Sequence, residues 1–355
     1  MAKIVFDNIS HSYDKGKNWA LKDINMTFPD KSRNGLLGPS GCGKTTLLKI
    51  ICGLEKPSTG KVYFDDQDVT EMTPEERNIA IVFQFPVVYN LTVYNNLMFP
   101  LMNTKQSKEE KDKKVMKVAD AFGLKNILNR QATSLGPADR QRVALSRVLV
   151  REPRAFLFDE PLSSIEPENK PALKAEIKHV QETLGQTTVY VTHDQTEALT
   201  FAENIAIMDV GKVAQFDSVE KIYAKPASTF VSYFIGSPGM NLIDGTLKGN
   251  KVDFSDFTID LPSSWKIPSN ITEVKLGIRP EHLVISQEKK AGWTPFTVDL
   301  FEEQGKGFGI ATLASDHIQI KGRSSILLEE GTKAWVSFPA QYLHLFDKEG
   351  KRIVD

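Results

Sequence analysis

Gly38-Pro39-Ser40-Gly41-Cys42-Gly43-Lys44-Thr45 combines three glycines, a lysine and a hydroxyl at the spacing of a phosphate-binding loop. An anion cradle needs inward-pointing backbone N–H groups, a conformation glycine adopts at low cost, and a helix N-terminus that favours negative charge. Apolar Gly35-Leu36-Leu37 before the loop reads as a strand, and Thr46-Leu47-Leu48-Lys49-Ile50 after it opens a helix. Lys44 supplies a point charge and Thr45 offers its hydroxyl to Mg²⁺. A second chemical feature is Ala155-Phe156-Leu157-Phe158-Asp159-Glu160, an apolar strand ending in two acids. Asp159 suits the metal shell of a phosphoryl-transfer site and Glu160 the general base that polarises an attacking water. Successive strand side chains point oppositely, so both acids serve one site only if the strand stops between them; Pro161 supplies the stop.

The chain that must position these groups has 355 residues, 41% hydrophobic and 25% charged, with 44 basic against 45 acidic residues. At roughly 150 residues per domain the length predicts two domains, and the composition excludes a disordered, collagen-like or disulfide-scaffolded chain. Residues 1–235 carry 30 basic and 29 acidic side chains and residues 236–355 carry 14 and 16, so neither part has the basic excess of a nucleic-acid binder. No stretch approaches the roughly 18 uninterrupted apolar residues of a spanning helix; Ile79 to Leu91 is broken by Gln84 and Pro86. An N-terminus without an apolar core and only two cysteines, Cys42 and Cys52, suit the cytoplasm.

Residues 1–235 alternate β-branched runs with helical patterns, which predicts an α/β domain with a mainly parallel sheet. The strand candidates are Asn34 to Leu37, Ile79 to Phe83, Ala155 to Phe158, Thr187 to Val191 and Ile205 to Met208. Residues 88–150 are helical in character and read as a subdomain inserted on the sheet. After residue 235 the texture becomes short alternating runs punctuated by Gly, Pro, Asn and Ser, a small all-β barrel or sandwich spanning residues 236–355.

In order and spacing, Gly38 to Thr45, Val82-Phe83-Gln84, Arg140 to Leu145, Phe156 to Ser163 and Val191-Thr192-His193-Asp194 resemble an ABC transporter ATP-binding subunit. Phe234 to Leu242, Leu276 to His282 and Leu343 to Asp347 are similar to the C-terminal OB-like barrel of maltose- and glycerol-phosphate-type importer ATPases. The resemblance covers nearly the whole chain. It implies a P-loop ATPase core with a helical subdomain, followed by a small OB-like regulatory domain. It implies ATP and Mg²⁺ as cofactors, held by Gly38, Pro39, Ser40, Gly41, Cys42, Gly43, Lys44, Thr45 and Thr46, with Thr45, Gln84 and Asp159 around the metal. Tyr13 then stacks on adenine, Gln84 reports occupancy to the membrane subunits, and His193 contacts the γ-phosphate beside Glu160. Each has a plainer alternative: Tyr13 as a strand aromatic, Gln84 as a solvated turn residue, His193 as a strand-end histidine. The resemblance also implies two transmembrane permease subunits as partners, an extracytoplasmic solute-binding protein acting indirectly, no nucleic acid, and a place on the cytoplasmic face of the membrane. His11, His179, His282, His317 and His344 have no metal-ligand spacing and read as structural.

Two segments depart from that family. Its Leu-Ser-Gly-Gly-Gln signature, which closes over ATP held by the opposite subunit, is replaced by Leu135-Gly136-Pro137-Ala138-Asp139. Gly136 has no hydroxyl and Pro137 no N–H, while Asp139, facing a nucleotide, opposes phosphate. Glu166 stands where the family ends its next loop with Asp. With the gripping residues intact and the presented surface altered, the expectation is an asymmetric pair with a second ATPase subunit whose signature is complete, one composite site being fast. A homodimer, or a mainly regulatory nucleotide-binding subunit, is the alternative. A soluble ABC protein of DNA repair or translation would carry duplicated halves or basic arms, and neither is found. The segment after Gln84 and the altered signature look similar to glycerol importers that use two different ATPases, so glycerol or a related solute leads as cargo. Cys42, inside the loop, is expected to be shielded from alkylation by ATP.

Overall fold

The computed structural model describes residues 2–84, 87–163, 165–305 and 308–354, and its contacts divide the chain into compact units 1–219 and 220–355. In the first unit, β1 (Ile4–His11), β2 (Leu21–Phe28), β3 (Arg33–Leu37), α1 (Lys44–Cys52), β4 (Thr59–Phe64), β5 (Gln67–Asp68), α2 (Pro74–Arg77) and β6 (Ile79–Val82) come first. Helices α3 (Val93–Met98), α4 (Lys108–Ala121) and α5 (Pro137–Leu149) follow. The core then resumes with β7 (Ala155–Asp159), α6 (Lys170–Leu184), β8 (Thr187–Thr192), α7 (Gln195–Phe201), β9 (Asn204–Asp209) and β10 (Lys212–Ser218).

The main sheet has the order β10-β9-β3-β8-β7-β6, parallel from β9 to β6 with β10 antiparallel at the edge. Both faces are buried, and strand alternation sorts the side chains between two cores. Leu157, Val189 and Val191 pack with α1 residues Leu47, Leu48 and Ile51, whereas Phe156, Phe158 and Tyr190 pack with Val143, Ile177 and Phe201. A second, antiparallel sheet of order β2-β1-β4-β5 lies on the α1 side, burying Phe6, Phe28 and Phe64. The sequence does not advertise it: Asp7, Asn8 and Ser10 interrupt the apolar alternation of β1, where the register shifts and Asn8 takes φ 49°. The C-terminus of α1 is closed by Gly53 in the left-handed region and by buried Arg77, whose guanidinium donates to the carbonyls of Ile50 and Ile51 at 2.6 and 2.8 Å.

Helix α8 (Val219–Ala224) begins at the boundary and α9 (Thr229–Phe234) follows it; among the described residues of the second unit come β11 (Asn241–Lys248), β12 (Lys251–Phe254), β13 (Phe257–Asp260), β14 (Glu273–Ile278), β15 (Val284–Ser286), β16 (Thr294–Gly305), β17 (Phe308–Ala314), β18 (Gln319–Ser324), β19 (Lys333–Ser337) and β20 (His344–Phe346). They form two five-stranded antiparallel sheets, β13-β12-β11-β14-β20 and β15-β19-β16-β17-β18, around one apolar core that includes Phe254, Leu276, Phe296 and Val336. Residues 220–235 belong with this unit by their hydrogen bonds. Buried Arg279 donates to the carbonyls of Tyr223 and Ile235 and lies 3.7 Å from the Tyr223 ring centroid, and the Thr229 N–H donates to Gly350. Among the described residues no helix is long and apolar enough to cross a membrane.

Candidate nucleotide site

The phosphate-loop segment joins β3 to α1 as its residue types require. Gly41 and Gly43 have φ of 79° and 104°, and a Cβ on Gly43 would lie 2.5 Å from the Ala20 carbonyl oxygen. Gly43 caps α1 with no side-chain hydrogen bond, so the first N–H groups of the helix stay available to an anion. The Lys44 ammonium is buried and donates to the carbonyls of Gly38 and Pro39 at 2.7 and 2.9 Å. Two carbonyls thus preposition the charge over the loop. Cys42 is buried as well, and loss of solvent pushes its thiol up despite the nearby Lys44 charge. Burial and a thiol kept protonated slow its alkylation before any nucleotide binds.

Strand β7 delivers the acids. The Asp159 carboxylate is pushed up first by burial and then by the Glu160 charge, against the pull of Lys44 and, more weakly, of the Thr45 hydroxyl. The strand ends at Asp159 because Glu160 itself takes the left-handed region at φ 49°, with its N–H donating to the Val191 carbonyl at 2.9 Å. Such a backbone on a side chain with a Cβ is held by its surroundings and frees Glu160 from the strand's alternation. Its carboxylate lies 3.1 Å from Nδ1 of His193, which follows the end of β8 and is mostly exposed. Glu160 and His193 are thus in contact, and the charges of Glu160 and Lys44 act on Asp159, at the C-terminal ends of β3, β7 and β8, where parallel sheets gather ligands.

Tyr13 stands beside α1: its hydroxyl donates to Oγ1 of Thr46 at 3.2 Å, and its ring meets His11 edge-on at 4.6 Å. The ring is 59% exposed, as a free stacking face should be. Sequence reasoning passes over the turn that holds it. Asp14 accepts from the Asn18 N–H at 2.7 Å and from the Ser12 hydroxyl at 2.8 Å, and these bonds, with the backbone N–H of Asn18 foremost, pull its carboxyl down to about 2. The spacing Ser12, Asp14, Asn18 is a readable Asx-type turn signal. Gln84 is exposed just past β6, and the next two residues of its segment, Phe85 and Pro86, lie outside the described residues.

The other surface is formed differently. Gly136 caps α5 with no side-chain hydrogen bond, and Pro137 takes the first helical position. Asp139 does not point outward as a free charge: Arg142 binds it at 3.0 Å while pairing with both oxygens of Glu176 at 3.0 Å. Glu166 accepts from Asn169 at 2.9 Å on the exposed loop before α6.

A phosphate loop on a parallel sheet, a strand ending in Asp159 beside it and a Glu160–His193 contact at the next strand ends define an ATP-binding cassette. Residues 21–163 match the model of the ABC transporter family and residues 236–283 that of the MalK OB fold domain. The chain is 40% identical to the trehalose/maltose import ATP-binding protein MalK of Thermococcus litoralis, over 95% of this chain and 96% of that one. It is 35% identical to the sn-glycerol-3-phosphate import ATP-binding protein UgpC of Salmonella paratyphi A, over 99% and 100%. The dimeric ATP-binding cassette MJ0796, solved in a post-hydrolysis state with ADP and Pi, superposes with a TM-score of 0.54 at 29% identity, over 61% of this chain and 98% of that one. This chain belongs to the ABC transporter ATP-binding family, in the branch whose cassette is followed by a MalK-type OB fold, and it is an ATPase.

Proposed function

We propose that the chain energises import of a sugar or polyol, with glycerol or a related solute leading, from the inner face of a membrane. Two transmembrane permease subunits carry it, and a solute-binding protein outside delivers the cargo. Support comes from the import functions in the names of the relatives and from two covalently joined units of the same kinds. The C-terminal unit is regulatory in this reading.

Thr45 and Asp159 fit Mg²⁺: both are hard oxygen donors, the Thr45 hydroxyl and the Lys44 charge act on the Asp159 carboxylate, and Mg²⁺ characteristically completes its shell with phosphate oxygens and water. Thr45 and Asp159 would hold the ion, which would supply charge neutralisation for the phosphates. Glu160 orients and deprotonates the water, His193 faces the γ-phosphate, Tyr13 carries the base, and Gln84 relays occupancy to the permease.

The observation that carries the finer reading is a contrast. Glu160 and His193, the residues this reading assigns to hydrolysis, lie 3.1 Å apart, while the N-terminus of α5 offers a capping glycine without a hydroxyl, a proline without an N–H and an aspartate spent on Arg142. In a head-to-tail cassette pair, the site built on Lys44, Asp159, Glu160 and His193 borrows the partner's α5 equivalent, and the second site borrows this one. The chain therefore pairs with a different ATPase of intact signature, and only the first site is fast. Glu160→Gln in the assembled transporter is expected to cut multiple-turnover ATP hydrolysis by about a hundredfold or more. Activity within twofold of wild type contradicts this and leaves the chain a regulatory nucleotide binder.

A further inference from the structure

Glu197 is buried in the first turn of α7, and its carboxylate gathers three donors, two from β8 and one from the start of α6. The Tyr190 hydroxyl donates to Oε2 at 3.1 Å, the Thr192 hydroxyl donates to the same oxygen at 3.0 Å, and the Lys170 ammonium reaches Oε1 at 3.3 Å. A carboxylate has the lone pairs to accept all three, and a buried one requires partners. Thr192 is the informative member. With its proton committed to Glu197, its oxygen accepts from the Asp194 N–H at 3.0 Å, so the residues on either side of His193 are tied to each other. Asp194 in turn caps α7 by accepting from the Glu197 N–H at 3.1 Å. The bend that presents His193 is thus closed by a hydroxyl whose direction Glu197 sets.

Lys170 brings in the other end. It is the first residue of α6, and its N–H and that of Asn169 both donate to the Glu166 carbonyl, on the loop that follows Glu160. The near end of that loop is fastened to the site, since the Ser163 hydroxyl and N–H both donate to the Glu160 carbonyl at 3.0 and 3.2 Å. The path Glu160, loop, Lys170, Glu197, Thr192, His193 closes on itself through the 3.1 Å His193–Glu160 contact.

We propose that Glu197 is a positioning residue: it holds His193 against Glu160 and makes the placement of that pair depend on where the loop before α6 lies. This rests on the reading of Glu160 and His193 as the hydrolytic pair. The loop carries Glu166 on an exposed face, so a partner subunit that displaces it shifts Lys170, and through Glu197 the ring of His193.

The test uses the assembled transporter with Glu197→Gln, Thr192→Val and Lys170→Met, each compared with His193→Ala. Misplacing a reacting group by about an ångström costs up to a hundredfold, so Glu197→Gln and Thr192→Val are expected to lower kcat by tenfold to a hundredfold with KM for ATP within twofold of wild type. Lys170→Met is expected to give a smaller loss that Lys170→Arg restores. Combining Glu197→Gln with His193→Ala is expected to be no slower than His193→Ala alone. Wild-type kcat in folded Glu197→Gln, or losses that multiply in the double variant, would overturn the proposal. Wild-type rate in His193→Ala would instead overturn the assignment of the hydrolytic pair. Where Glu197→Gln fails to fold, Thr192→Val, which keeps shape and removes the hydroxyl, decides alone.

Discussion

The residues proposed to carry out hydrolysis are individually ordinary, and their chemistry would come from what surrounds them. Lys44 is held by two loop carbonyls that phosphate oxygens must displace, Asp159 is raised by burial and by Glu160, and Glu160 owes its orientation to a left-handed backbone. The aromatic platform is the clearest case of support from neighbours. Asp14, drawn down to about 2 from an ordinary 3.8, stabilises its turn fully above about pH 4 and loses that contribution as pH falls toward 2. Asp14→Asn should therefore raise KM for ATP severalfold with kcat unchanged, measured in the assembled transporter at pH 7. An unchanged KM would mean that Tyr13 needs no such support. Asp159, Glu160 and Lys44 were legible in the sequence because their spacing and flanking strands are tightly constrained. The left-handed turn at Glu160 was not, since nothing in a Glu-Pro pair encodes positive φ.

At the level of elements, α5 is the decisive one. Its start is sound for a helix: Pro137 fits the first turn, Asp139 complements the dipole, and glycine at the cap costs only a few tenths of a kcal/mol against serine. In the proposed pair it would lack a phosphate grip, and charged hydrogen bonds of that kind contribute about 1.5 to 3 kcal/mol each. Replacing Gly136, Pro137, Ala138 and Asp139 by Ser, Gly, Gly and Gln in a Glu160→Gln background should raise residual ATP turnover at least about tenfold, with little change in thermal midpoint. No rise with the fold intact would mean that the departures at α5 do not limit the second site. The five parallel strands were readable as short β-branched runs, and so was the helical stretch between β6 and β7. The antiparallel sheet of β1, β2, β4 and β5 was hidden because bulges and polar residues break its alternation, and tertiary pairing overrides that weak local pattern.

Taken whole, the molecule joins a motor to a β unit with a buried weak point of its own. His344 is almost fully buried and its imidazole is pushed down to about 4, first by desolvation and then by the charges of Arg352 and Arg279. The unfolded chain takes up that proton near pH 6.5, so stability falls as pH drops from about 6.5 toward 4 and then levels, by about 3 kcal/mol at most. Thermal unfolding of the full chain across this range should show the decline in the C-terminal transition, and His344→Leu should flatten it; an equal slope in the variant would place the sensitivity elsewhere. The central claim concerns what stands opposite this chain in the membrane. Purification of a tagged copy from its native membrane, with mass-spectrometric stoichiometry of all that accompanies it, decides that point. One copy of this chain with one copy of a second ATPase carrying a complete signature is the expected result, whereas two copies of this chain and no other ATPase would contradict the asymmetric pair.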